Sequence, residues 1–284
     1  MSTLVLTLRE PPRQPLDASP LVPEALAGRS EREIGAIPLQ LGNRRLPLGE
    51  LFRVRVGAPD QLVIEGATSR LDGLGRGLAG GRLRIEGDAG TRLGQDLAGG
   101  TIEVTGRAGS LAGTGMRRGS IRIAGDAGDF LAAALPGDRF GMRGGLVLVG
   151  GDAGARAGDR KRRGVVVVAG AAGAFPAARM IGGTLAVLGG AGADPGFAMR
   201  RGTLLLGRPP ANLLATFQDH GRHPQPWLRL LALELEAAGW TGSLPGTDGV
   251  GLRRLSGDLA AGGRGEMLIA DACGASPDGS HGKW

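Results

Sequence analysis

The chain has a single cysteine, Cys273, no tyrosine, and only three histidines, His220, His223 and His281. A disulfide framework needs paired cysteines and a thiolate metal cluster needs several, so neither can form within one chain. Aromatic residues make up 3% of the sequence. That shortage removes the stacking platforms on which single-stranded nucleic acid is held, and no nucleic-acid recognition motif replaces them. No run approaches the roughly 18 consecutive apolar residues of a membrane span. The opening MSTLVLTLREPP lacks the basic start and cleavage site of a secretory signal, since Arg9 and Glu10 follow directly on a short apolar run. The expectation is a cytoplasmic protein with neither membrane nor nucleic acid as partner.

Glycine is plentiful, at 55 of 284 residues. It follows no Gly-X-Y period, which excludes collagen. Hydrophobic residues reach 42%. A core this large and this poor in rings must be built from Val, Ile, Leu and Ala, which suits tightly stacked short strands. The net charge of +7 favours acidic partners or substrates and says nothing about fold.

One phrase recurs: GGRLRIEGDAG, GGTIEVTGRAG, RGSIRIAGDAG, GGLVLVGGDAG, RGVVVVAGAAG, GGTLAVLGGAG and RGTLLLG. The glycine before each strand falls at Gly81, Gly100, Gly119, Gly145, Gly164, Gly183 and Gly202, in steps of 19, 19, 26, 19, 19 and 19 residues. The long step carries an insertion near Leu135–Gly141, and an imperfect earlier copy starts at Gln61. The second residue after this phase glycine is Leu83, Ile102, Ile121, Val147, Val166, Leu185 and Leu204. The fourth is Ile85, Val104, Ile123, Val149, Val168, Val187 and Leu206. Alternation is the period of a strand, and equal positions repeated in a stack bury a continuous core. After each strand comes G-x-x-G-x-x-x-G: Gly87, Gly90 and Gly94; Gly106, Gly109 and Gly113; Gly151, Gly154 and Gly158; Gly189, Gly192 and Gly196. Glycine allows positive φ and close backbone approach, as a corner repeated in every layer requires. A phosphate-cradling loop would occur once, between a strand and a helix.

The pattern predicts an all-β protein: a right-handed parallel β-helix of about 19 residues per coil, with a C-terminal helix. Residues 1–60 read as N-terminal strands and a cap, with a strand over Ser2–Leu8 and a first, irregular coil at Leu51–Val56. Residues 61–207 form the β-helix. Residues 208–284 form a C-terminal segment: a proline-rich connection from Pro209 to Pro226, a helix over 226–239, and an end from Ser276 without fixed structure. Proline at the helix start and Gly239 past its end suit those positions. Its apolar stripe is Leu228, Leu231, Leu235 and Ala238, with Trp227 and Leu230 beside it.

Candidate chemistry is sparse. His220 and His223 make an H-x-x-H phrase beside Gly221 and Pro224, read as polar loop residues rather than a zinc site. Asp88, Asp126 and Asp152 share a coil position, but the calcium nonapeptide is missing and Ala171 and Gly190 continue the column, so a solvated edge is expected. Cys273 lacks a base, and Ser256 is not in a nucleophile elbow. No catalytic or metal-binding residue is assigned. The third residue after the phase glycine, which should face outward, changes from Arg84, Glu103 and Arg122 to Leu148, Val167, Ala186 and Leu205. An apolar face of that size needs covering, by the helix at 227–238 or by a partner. The second residue before the phase glycine is Arg117, Arg143, Arg162 and Arg200 in four coils. With Arg118, Arg163 and Arg201, and with Arg160 and Lys161 extending it, this column is a candidate strip for an acidic partner or a carboxylate-bearing carrier.

The G-x-x-G-x-x-x-G coils resemble the C subunit of the formylmethanofuran dehydrogenase and formyltransferase/hydrolase family, and the related C-terminal β-helix domain of glutamate synthase. The tail RRLSGDLAAGGRGE, Arg253–Glu266, is similar to the end of that C subunit. The resemblance runs from about Gln61 to Ile269. It implies a non-catalytic structural subunit in tetrahydromethanopterin-linked one-carbon metabolism, where a formyl group moves by a methanofuran-type carrier to formate. It also implies that any metal lies in a partner, the partners being amidohydrolase-like, molybdopterin-enzyme-like and formyltransferase subunits. A subunit of a molybdenum or tungsten formylmethanofuran dehydrogenase, or a glutamate-synthase-like channel domain, are the other readings. A hexapeptide β-helix acyltransferase does not fit, since 19 is not a multiple of six.

Overall fold

The computed structural model describes residues 3–270. Cys273, His281 and the segment from Ser276 lie outside the described residues. The repeat strands Arg82–Gly87, Thr101–Val104, Ser120–Ile123, Arg143–Val149, Arg163–Val168, Thr184–Val187 and Arg201–Leu206 stack side by side in one 13-stranded sheet. Each pairs in parallel with the next, in register: Leu83 beside Ile102, Ile102 beside Ile121, Val166 beside Leu185, Leu185 beside Leu204. A second ladder runs through single bridges from Ala89 to Ala108, Ala127, Ala153, Ala172 and Ala191. The coils therefore close on themselves as a parallel β-helix. Both aliphatic columns are buried inside. Each large aliphatic side chain taken out of water contributes roughly 1.5–3 kcal/mol, and short strands gain this only because their neighbours repeat it.

The phase glycines have φ from +73° to +98°. A Cβ on Gly164 or Gly202 would sit 2.6 Å from the carbonyl oxygen of the phase glycine one coil earlier. Both reasons for glycine therefore hold there. In the G-x-x-G-x-x-x-G phrase they separate. Gly94, Gly113, Gly158 and Gly196 turn with φ near +70°. Gly109 and Gly154 do not have positive φ. They are glycine because a Cβ would stand 2.8 Å from the Gly90 carbonyl carbon, or 2.6 Å from the Asp129 nitrogen. The aspartate column is not merely solvated. Asp88, Asp126 and Asp152 each accept the backbone N–H of the following coil, from Arg107 at 2.8 Å, Asp152 at 3.0 Å and Ala171 at 2.7 Å.

The outward apolar face is covered from within the chain. The helix Trp227–Ala237 lays Leu228, Leu231 and Leu235 on Leu148, Val167, Ala186 and Leu205, all of them buried, with Trp240 and Leu244 completing a second core. Of the two residues expected beside the stripe, Trp227 packs against this core and Leu230 is 66% exposed.

Both ends of the stack differ from the sequence reading. Thr3–Leu8 is itself a parallel rung beside Ala58–Ala67, whereas Phe52–Arg55 lies antiparallel at the outer edge and is not a first coil. At the other end Arg264–Ile269 adds a parallel rung to Arg201–Leu206. Leu252–Gly257 and Gln218–His223 then close the edge antiparallel. Closing strands with charged side chains keep an open edge from pairing with other chains.

Candidate interaction surface

The arginine column follows from the coil period. Arg143 rests on the coil of Met116 through its backbone N–H at 2.7 Å, Arg162 on that of Met142 at 2.9 Å, and Arg200 on that of Met180 at 2.8 Å. Arg117, Arg143 and Arg162 occupy consecutive coils. Ile181 fills the next place, through the N–H it donates to Lys161, and separates Arg200 from the three. All four arginines are exposed, and among the described residues none has a carboxylate partner. Arg163 pairs along the ladder with Arg143, and Arg201 with Arg264, a residue that no repeat phrase contains.

Lys161 does not belong to this surface. It is fully buried, its Nζ donates to the Gly164 carbonyl at 2.8 Å, and loss of water pushes its pKa down to about 7. Its place in the coil is the inward column of Met116, Met142, Met180 and Met199, not the outward arginine column. Arg160 is half-buried and donates to the Asp138 carbonyl at 2.8 Å.

The insertion brings residues that the repeat could not announce. Phe140 lies on the arginine column, with the guanidinium of Arg162 at 4.9 Å, of Arg139 at 5.4 Å and of Arg143 at 6.0 Å from the ring centre. Such contacts are worth roughly 0.5–1 kcal/mol each at exposed sites, which biases these arginines toward the ring without fixing them. Nearby, Asp159 is buried in an ion pair with Arg179, which donates Nε to Oδ1 at 2.9 Å, and with Arg156 at 3.2 Å. The Asp159 hydrogen bonds hold the Arg179 guanidinium charged, above its usual range.

His220 and His223 stand on the exposed edge strand Gln218–His223 rather than in a loop. His220 Nε2 shares a 2.7 Å hydrogen bond with the Ser256 hydroxyl, and His223 Nε2 one of 2.8 Å with the His220 carbonyl. Among the described residues no group of three or more His, Cys, Asp or Glu is placed to hold a metal ion. No helix among them is long and apolar enough to cross a membrane.

Stacked glycine coils with an internally covered sheet define a class, and the GXGXG motif family matches residues 65–213. Three relatives narrow it. The C subunit of the formyltransferase/hydrolase complex of Methylorubrum extorquens is 45% identical over 93 residues, 33% of this chain and 34% of that protein. The C subunit of the molybdenum-containing formylmethanofuran dehydrogenase 1 of Methanothermobacter marburgensis is 37% identical over 81 residues, 28% of this chain and 20% of that protein. These sequence matches thus span about a third or less of each curated relative. The third is a chain in the crystal structure of the Methylorubrum extorquens formyltransferase/hydrolase complex with methylofuran. It superposes with a TM-score of 0.86 at 43% identity, over 93% of this chain and 98% of that one. The chain belongs to the family of C subunits found in formyltransferase/hydrolase and formylmethanofuran dehydrogenase complexes.

Proposed function

We propose that this chain is the non-catalytic C subunit of a formyltransferase/hydrolase complex. In that complex a formyl group from tetrahydromethanopterin moves by a methanofuran-type carrier to formate. The observation that carries the reading is the likeness over 98% of a chain from the methylofuran-bound complex, at 43% identity. The partners expected are amidohydrolase-like, molybdopterin-enzyme-like and formyltransferase subunits, which hold the carrier's reacting end and any metal. Omitting this chain should prevent the other subunits from assembling and stop formyl transfer. Adding it back should restore both. Formyl transfer by the remaining subunits at the rate of the full complex would refute the reading.

The exposed Arg117, Arg143, Arg162 and Arg200, none with a carboxylate partner among the described residues, support a second element: a strip that meets carboxylates of a partner or of the carrier. Guanidiniums pair bidentately with carboxylates. One exposed ion pair is worth about 1 kcal/mol or less, so the four are changed to Gln together. Complex assembly and carrier affinity, measured at low and moderate salt, should both weaken. If neither changes while the fold is intact, the column is a solvated edge.

A further inference from the structure

The chain has six phenylalanines, and its core makes little use of them. Phe52 is fully buried, and Phe217 packs half-buried against the core. Phe130, Phe140 and Phe175 are half-exposed on the coil corners, and Phe197 is 46% exposed. A protein this poor in rings has left four of its six phenylalanines at the surface, two of them, Phe140 and Phe175, under guanidiniums.

These rings form one continuous surface. Phe130 lines a cleft of about 300 Å3 with Leu111, Leu135, Asp159, Arg160 and Arg179. Asp159 ties Arg179 to Arg156. Arg156 lies over the Phe175 ring at 5.1 Å from its centre, and Phe175 meets Phe197 edge-on at 6.1 Å. The insertion joins this row to the arginine column: Leu135 walls the cleft, and Phe140 lies on Arg143 and Arg162.

The corner backbone adds a second argument. Arg92, Leu111, Phe130, Arg156, Phe175 and Asp194 occupy one coil position, each with φ between +52° and +66°. Glycine favours that conformation and Gly73 holds it in the first coil, but arginine, leucine or aspartate serve in others. The corner itself does not need these rings. Aromatic and arginine side chains clustered around a cleft are the composition of an interface centre.

We propose that this corner, from Phe130 to Phe197 with the insertion 135–141, is the docking surface for another subunit of the complex. The partner segment is acidic and carries an apolar side chain. The apolar group enters the cleft between Phe130 and Leu135. The acidic group meets the surplus cation, since Arg156, Arg160 and Arg179 face the single carboxylate Asp159. A second copy of this chain is a poor occupant, because a chain of net charge +7 would set like charges together. This deepens the assembly reading and rests on it.

The test co-expresses the tagged chain with the A, B and D subunits of its own organism. Three variants are compared: F175S/F197S, R160E, and a deletion of residues 135–141 that restores the 19-residue step. Assembly should fall at least tenfold in each variant that folds, while the isolated F175S/F197S and R160E chains still melt in one cooperative step at a slightly lowered temperature. The loss with R160E should depend on salt. Assembly of F175S/F197S and R160E at wild-type strength, beside a wild type that assembles, would overturn this surface and leave the subunit reading standing. A wild type that binds none of the three subunits would overturn both. Dimers of the isolated chain that F175S/F197S abolishes would overturn the choice of occupant.

Discussion

Lys161 occupies an inward column otherwise filled by Leu97, Met116, Met142, Met180 and Met199, all buried. Its stem packs as methionine does, but its end is an amine with one hydrogen bond, to Gly164. Burial favours the neutral form, and the folded pKa of about 7 lies well below the roughly 10.4 of an unfolded lysine. Between those values the unfolded chain binds a proton that the folded chain lacks. Stability should therefore rise with pH from 7 toward 10.5, and the penalty should be complete below 7. At about 1.4 kcal/mol per pKa unit the penalty amounts to several kcal/mol. K161M should raise the urea midpoint at pH 6 and flatten its rise at pH 9. A variant less stable than wild type at pH 6 would mean that the ammonium is compensated. Glycines test the corner reading at the same scale. Gly109 has neighbouring backbone at 2.8 Å from its Cβ site, so G109A should cost about 1–3 kcal/mol. Gly190 has nothing within 4 Å and no positive φ, so G190A should be neutral or stabilising by up to about 1 kcal/mol. Equal melting temperatures for the two would contradict this account.

Among elements, the helix Trp227–Ala237 decides whether the apolar side of the sheet can exist in water. Leu231 and Leu235 are buried against Val167 and Leu205, whereas Leu230 and Leu233 face out. L235A should cost about 2–5 kcal/mol by the usual truncation of a buried leucine, and L230E should cost almost nothing. Chemical denaturation of the two variants checks the assignment, and comparable losses would place the helix on the wrong face. The repeat strands and this cover were legible in the sequence because each rested on a column repeated many times: aliphatic at the second and fourth places, and an outward place that turns apolar at Leu148. The ends were not. Thr3–Leu8 serves as a rung without the glycine phrase around it, and Arg264–Ile269 repeats only the Arg-Gly opening of Arg201–Leu206, far from the last repeat; each also pairs with an antiparallel strand, Phe52–Arg55 or Leu252–Gly257, that the repeat does not announce. Phe140 and the Asp159 ion pairs were hidden for a related reason: an insertion interrupts the period, and Asp159 pairs with arginines on its own coil and the next.

The whole molecule is a stack whose stability adds up from coils and their contacts with neighbours. Such a stack should accept the loss of a full coil but not of part of one. Removing residues 81–99 joins Gly80 to Gly100 and brings Thr101–Val104 onto Ala58–Ala67 in the register that Arg82–Gly87 now holds. Leu62 and Ile64 then face Ile102 and Val104, so both buried columns stay continuous. The helix cover and the corner from Phe130 to Phe197 lie in later coils and are untouched. Removing residues 81–96 instead leaves a three-residue mismatch where the two parts of the stack meet. The aliphatic columns would then turn to face solvent or a corner, as any slip by an odd number of residues moves inward side chains to the other face. The shorter protein lacking 81–99 should give the circular dichroism of the parent and one cooperative melt at lower temperature. The one lacking 81–96 should be insoluble or unfolded. Two soluble, folded products would show that the 19-residue step does not set the register, and two unfolded ones that the coils are not interchangeable.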